Sequence, residues 1–509
     1  MSSSRRQFLR ATGLLTAAAT LPRWWGEAHA AGYTGHRSAV CVFLLGGNDS
    51  NNLIVPRLAA PHAQYLAARP NIGIKQADLL PINPVGTAAG SYGLHPSLTK
   101  LQALFEQEKA AVVCNVGPLV LPMRKTDYTS GAVPRPDNLY SHSDQQDAWA
   151  SGIANPASVI LPLSLIGKVT GWGGRTADKF NELLSKEVRE KAYPEVTSFG
   201  GKSLFSLGAS RQPMTVAANG TLGFRATGDV AFGVAQQEAL GKVLALHNNV
   251  TLEASYGGTF SMARTFANSR TTARDVAWNL LPQATREAID ALFVLPTDGG
   301  GWSLPPQLYQ VLRDIVAGAT PAASGGLGLK RQMFSVGLGG FDTHTGQDTA
   351  QRSLFRQLDF ALDAFYRALV LVQTAFGANA PQATLFTMSD FSRTLVENSD
   401  KGTDHGWGSH ALVLGDRVLG RRLYGTFPNL DLSSNAVNNP DTVDSKGRWI
   451  PTLSVDQYAH SIVSWLGLST TAERDYVFPN MKDYLAAATA NGFPTAARQS
   501  KIAFMMADA

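Results

Sequence analysis

This sequence predicts an α/β fold with a mostly parallel central sheet flanked by helices, and two features carry the expectation. Short apolar runs that read as fully buried strands alternate with longer amphipathic stretches, the mark of a sheet wrapped by crossover helices. Several of those runs stop at a glycine pair or a Ser-Asp step, and a small group of polar residues follows each stop. In open parallel sheets the ends of the strands are where ligands bind.

Taken in order, residues 39–45 (AVCVFLL) are too short and too β-branched for a helix and read as the first strand. Residues 96–108 place apolar side chains at helical spacing, and 110–116 (AAVVCNV) read as the next strand. Further strands are expected at 332–337, 383–388 and 411–414, with a long helix over 352–376 and a closing helix over 455–466. Between 176 and 328 the apolar residues scatter, leaving helix candidates at 234–246 and 305–317 and Gly-rich breaks at 299–301 and 325–328. That stretch is expected to be an insertion or cap region. Cys41 and Cys114 each sit inside a strand-like run, so buried free thiols are expected, with a bridge open only if the strands bring them together.

The first thirty residues have the three parts of an export signal: Arg5 and Arg6, an apolar stretch over 11–21, and Ala28-His29-Ala30 before a cut. The string SRRQFLR resembles the twin-arginine kind, whose translocase carries folded cargo. The expected location is periplasmic or secreted. The apolar stretch is shorter than the ~20 residues a spanning helix needs, and no later stretch is long enough, so no transmembrane segment is expected in the mature chain. The whole chain has 44 basic and 39 acidic residues. Removing 1–30 takes away four arginines and one glutamate and leaves 40 and 38, a balance of about +2. The basic character therefore belongs partly to the signal, and nucleic acid is not an expected partner.

Four polar groups follow strands. In GGNDSNN, Asp49 comes after Gly46 and Gly47, where a carboxylate could take a cation or simply close a turn. In SHSDQQDAW, Ser141, His142, Ser143 and Asp144 lead into a helix; a hydroxyl there could cap the helix or act as a nucleophile where free N–H groups favour an anion. In FDTH, Asp342 and His344 offer oxygen and nitrogen to one metal, a mixed set suited to zinc, manganese or iron, or they form a surface loop. The densest group holds Asp390, Arg393, Asp404, His405 and His410, with Arg393 placed to pair with an anion. These ligands lie too far apart in sequence for a local metal module. Only the fold could assemble them.

The strings GGND (46–49), YGLHP (92–96), SHSDQQDAWASG (141–152), TGWGGR (170–175), FDTH (341–344), SDFSR (389–393) and GTDHGWG (402–408) resemble the DUF1501 family of exported bacterial proteins. That resemblance implies an alkaline phosphatase-like α/β domain over 31–509, related to the sulfatases, with 176–328 inserted. It implies a site with one or two divalent metals (zinc, manganese, magnesium or calcium) held by Asp49, Asp342, His344, Asp390 and His405. Ser141 or its rival Ser143 would be the nucleophile beside His142, and Arg393 or Arg175 would steady the charge on an anionic ester. The implied activity is hydrolysis of a phosphate or sulfate ester, small or polymer-borne; the alternative is a metal-binding or assembly protein of the cell envelope with the same fold. Two departures stand out: Ser143 replaces a usual phenylalanine, and Asp390 replaces a usual, longer glutamate. No G-x-S-x-G elbow is present, which counts against a serine esterase.

Overall fold

The computed structural model describes residues 35–184, 192–199, 201–218, 220, 235–236, 238–240, 242–243, 251–297, 301–433 and 439–507. Residues 1–30, where an export signal is expected, lie outside them, as do six of the thirteen residues of the 234–246 helix candidate and Gly299 and Gly300. Among the described residues nine strands form the central sheet: β1 (Arg37–Leu45), β2 (Ala110–Gly117), β3 (Val196–Phe199), β4 (Met214–Val216), β5 (Arg331–Gly339), β6 (Gln382–Ser389), β7 (Ser409–Gly415), β8 (Leu423–Gly425) and β9 (Leu453–Ser454). Their order is β8-β2-β7-β6-β1-β5-β3-β4, with β9 also paired to β2. The helices that matter to the site and core are α1 (Thr99–Glu106), α2 (His142–Ser151), α3 (Trp172–Glu182), α4 (Leu304–Ala319), α5 (Gln347–Phe376) and α6 (Val455–Leu466).

The sheet is parallel except at β7, which runs antiparallel to both β2 and β6. The connections explain the difference. Chain leaving β5 returns to β6 through the 30-residue α5, a crossover that permits parallel strands. Chain leaving β6 returns to β7 through only a hairpin, Arg393–Glu397 against Thr403–His405, so the next strand must run the other way.

Alternation along β1 sends Val40, Val42 and Leu44 to one face and Ala39 and Cys41 to the other. The first face is covered by α1, α4 and α5. In α5 the stripe Leu358, Leu362, Phe365 and Leu369, spaced at helical intervals, is buried throughout, and each such side chain contributes about 1.5–3 kcal/mol. The opposite face is covered by α3 and α6 through Trp172, Phe180, Tyr458 and Ile462. Within 176–328, β3 and β4 extend the sheet beyond β5, and α4 packs into the first core, so these parts are built into the main domain. Cys41 and Cys114 are free and buried, because β6 and β7 separate their strands. Among the described residues no helix is long and apolar enough to cross a membrane.

Candidate functional site

Three adjacent parallel strands end at one level. Leu45 of β1 sits opposite Gly339 of β5, and Leu44 opposite Ser389 of β6. The turn after β1 is pressed against the two loops beside it: a Cβ on Gly46 (φ +108) would stand 2.5 Å from the Asp342 backbone nitrogen, and one on Gly47 (φ +80) 2.4 Å from the Phe391 ring. Glycine is required there both for the backbone conformation and for the contact. The Gly46 N–H faces the two Asp390 oxygens, 3.2 Å from each.

Asp342, Asp390, His344 and His405 meet at this edge, and α2 brings His142 to them from the other side. His142 Nδ1 is 2.6 Å from Asp390 Oδ2. Gln146, one turn further along the same face of α2, donates to the same oxygen at 2.9 Å. His142 Nε2 lies 3.4 Å from Asp342 Oδ1, His344 Nε2 3.1 Å and His405 Nε2 3.6 Å from that atom. The two nitrogens His344 Nε2 and His405 Nε2 are 2.9 Å apart. His405 Nδ1 is held by the Tyr140 carbonyl at 2.7 Å, and the Phe391 ring stacks on its imidazole.

Those hydrogen bonds decide the tautomers. Nδ1 of His142 faces a carboxylate and Nδ1 of His405 faces a carbonyl, so each Nδ1 carries the hydrogen and each Nε2 presents a bare lone pair when neutral. His142 Nε2 is buried and has no hydrogen-bond partner. Two lone pairs and a carboxylate oxygen thus converge on one point, which the Arg393 guanidinium and His344 Nε2 also reach, an arrangement that can hold a cation. Ligand atoms 2.0–2.2 Å from a tetrahedral ion stand about 3.3–3.6 Å apart, close to the spacings to Asp342 Oδ1. His142, Asp342 and His405 therefore fit a divalent ion, and their ligand atoms lie within 4.8 Å of one another.

Arg393, fully buried, is bound to the carbonyls of Gly46, Gly47, Phe341 and Thr403 and to Asp342 Oδ1. Burial pushes the Asp342 carboxyl upward, but the Arg393 hydrogen bond and charge, with His142 and His344, outweigh it and hold Asp342 below the usual carboxylate range. Burial shifts His405 downward, opposed by its bond to Tyr140 and aided by the charges of Arg393, His142 and His344, and the net shift favours the neutral, lone-pair form.

Asp49 does not join this group. It is buried against Arg69, whose two guanidinium nitrogens reach its two oxygens at 2.5 and 3.0 Å, and Gln347 of α5 and the Asn51 amide fill its remaining lone pairs. The cation it takes is a guanidinium. Ser141 and Ser143 are likewise elsewhere: Ser141 Oγ donates to Asp144 Oδ2 and meets Ser143 Oγ at 3.2 Å, while the neighbouring His142 enters the cluster. Arg175 is buried among the carbonyls of Thr170, Ser151 and Val477, and His410 is a core residue whose Nδ1 accepts the Asn115 N–H. Asp390 is short, yet it serves as the partner that orients His142. The supporting residues Arg69, Gln146, Gln347 and Phe391 were not singled out from sequence; only Gln146 left a signal, its i+4 spacing from His142.

Residues 323–445 match the model of a family described as "Protein of unknown function (DUF1501)". The match is to that segment, about a quarter of the chain. The DUF1501 segment contains Asp342, His344, Asp390, Arg393 and His405, and leaves Asp49 and Ser141–Ser143 outside it. Among curated proteins nothing matches. A solved structure described as a 2-O GAG sulfatase is similar at 12% identity over 87% of this chain and 72% of that one, with a TM-score of 0.25. A likeness that weak carries no argument about fold or function.

Proposed function

We propose that this chain is an exported, divalent-metal-dependent hydrolase of a phosphate or sulfate ester. The observation that carries the metal is the convergence of His142 Nε2 and His405 Nε2 on Asp342 Oδ1, each imidazole having its Nδ1 hydrogen tied to an acceptor behind it. A cation held there supplies Lewis-acid polarisation of an ester oxygen and an acidified water.

The chain's own groups do the rest. Asp390 fixes the ring of His142, Arg393 keeps Asp342 ionised, and His344, the most exposed of the three imidazoles and 3.6 Å from Asp404, gives a proton to the leaving oxygen as water attacks and the ester bond breaks. Neither serine is assigned the attack, since both hydroxyls are engaged with Asp144. That same engagement favours a second reading, a metal-binding envelope protein without turnover. Export by the twin-arginine route to the periplasm or beyond belongs to either reading and rests on residues 1–30.

Elemental analysis of the purified chain, followed by phosphate and sulfate ester panels before and after chelation, tests the proposal. Bound divalent metal with chelator-sensitive turnover is expected. Metal without turnover on any ester supports the second reading, and the absence of both metal and turnover overturns the first.

A further inference from the structure

The loop between α2 and α3 exposes aliphatic side chains that neither the core nor the metal site uses. Ile160, Leu163, Ile166 and Val169 are 83, 90, 60 and 76% exposed, whereas Leu165 between them is buried and anchors the loop. They recur at every third position. The backbone explains this: a 3-10 turn (Leu163–Leu165) is flanked by Pro162 (φ −52, ψ 143) and Ile166 (φ −59, ψ 130) in a polyproline-like conformation, and both forms have about three residues per turn. Leu163 and Ile166 therefore lie one turn apart on one side, with Ile160 before the turn and Val169 after Gly167 (φ +73).

Charge narrows the choice of partner. From 148 to 177 the chain has no carboxylate; its only charges are Lys168, which is exposed beside the stripe, and Arg175, which is buried. Aliphatic side chains in a flat protein-binding patch cover one another, so exposures this high belong to a ridge that projects side chain by side chain. A ridge of that shape, apolar and weakly cationic, suits a deformable medium with anionic headgroups over hydrocarbon.

We propose that the ridge 160–169 docks the protein on the interface of a bilayer containing anionic phospholipid. The aliphatic groups enter the acyl boundary and Lys168 meets the headgroups. The proposal stands independently of what the metal site does.

Sedimentation of the full chain with vesicles of phosphatidylethanolamine and phosphatidylglycerol tests it. The variant Ile160→Ser/Leu163→Ser/Ile166→Ser/Val169→Ser should bind at least about tenfold more weakly with unchanged metal content and thermal midpoint. Lys168→Glu should weaken binding to these vesicles and leave binding to phosphatidylcholine vesicles unaltered. Leu163→Cys carrying a polarity-sensitive thiol label should shift to the blue with vesicles; Cys41 and Cys114 are buried, with thiol pKa values driven up, and stay unlabelled. Failure of the unaltered chain to bind, or equal binding by the fourfold variant, overturns the proposal. So does a ridge-dependent dimer in ultracentrifugation without vesicle binding, which would make a second copy the occupant.

Discussion

At the residue scale the decisive contrast is between two aspartates that look alike in sequence. Asp49 and Asp390 both follow a buried strand, yet one is closed off by a guanidinium and the other turns an imidazole toward an open point. The second role makes a sharp prediction: Asp390→Asn should reduce metal affinity about 10–100-fold, read by chelator competition, because His142 loses its acceptor and its fixed tautomer. Ser141→Ala and Ser143→Ala should leave that affinity unchanged; a loss in either would restore the serines to the site. The first role makes another. Arg69→Met strands a buried carboxylate and should cost about 3–5 kcal/mol in denaturant unfolding, and a cost under about 1 kcal/mol would show that the pair is dispensable. In sequence, GGND displayed a carboxylate after a strand, but nothing local announced Arg69, twenty positions on.

At the element scale, the longer strands β1, β2, β5, β6 and β7 and the helices α1, α4, α5 and α6 were legible because hydrophobic periodicity is a local property, whereas β3, β4, β8, β9 and α3 were not. The closing helix expected at 455–466 is α6 in full, stopped by Gly467 and started by the Ser454–Gln457 capping box. The direction of β7 was not legible, since it depends on how short the return from β6 is. α6 also buries Asp456 in its first turn, where burial raises its carboxyl to about 8 against the partial relief offered by Arg175. The folded state then holds a proton that the unfolded chain releases near pH 4, so stability is fully present below that pH and is lost as pH rises toward 8. From pH 5 to 8 this group lowers stability by about 1.4 kcal/mol per unit, read as the difference in slope between the unaltered chain and Asp456→Asn in unfolding measurements. An identical slope in the variant would assign the dependence elsewhere.

At the scale of the whole molecule, four histidines lie inside the described structure as neutral groups. Burial lowers His36, His95 and His460 to about 4 and His410 to about 3. Their folded values lie below the unfolded ~6.5, so nothing is lost above that pH, and stability drains away as pH falls through the window from 6.5 to 4. Asp359, raised by burial to about 6, and Asp456 act in the opposite sense. Near pH 5 the unfolded chain gains four protons from the histidines while the folded chain keeps two on the carboxyls, a net loss of about 2–3 kcal/mol per pH unit. Denaturant midpoints should therefore drop steeply between pH 6.5 and 4.5, well before ordinary carboxylates titrate. A flat profile there would mean that these histidines are hydrated or charged in the folded state.

By itself the sequence determined the α/β class, the positions of β1, β2, β5, β6 and β7 and of α1, α4, α5 and α6, and the groups of polar residues at strand ends, because periodicity, glycine turns and caps act over a few residues; the short strands β3, β4, β8 and β9 carry too few residues for a period to show. It also placed Asp342, His344, Asp390 and His405 among the candidates. Only the tertiary structure decided which of them face one another. The site depends on the level endings of β1, β5 and β6, on the short hairpin before β7 and on α2 arriving from another part of the chain. Those are distances through space between segments hundreds of residues apart, and they moved Asp49 into a buried ion pair, turned the serines aside and brought His142 in.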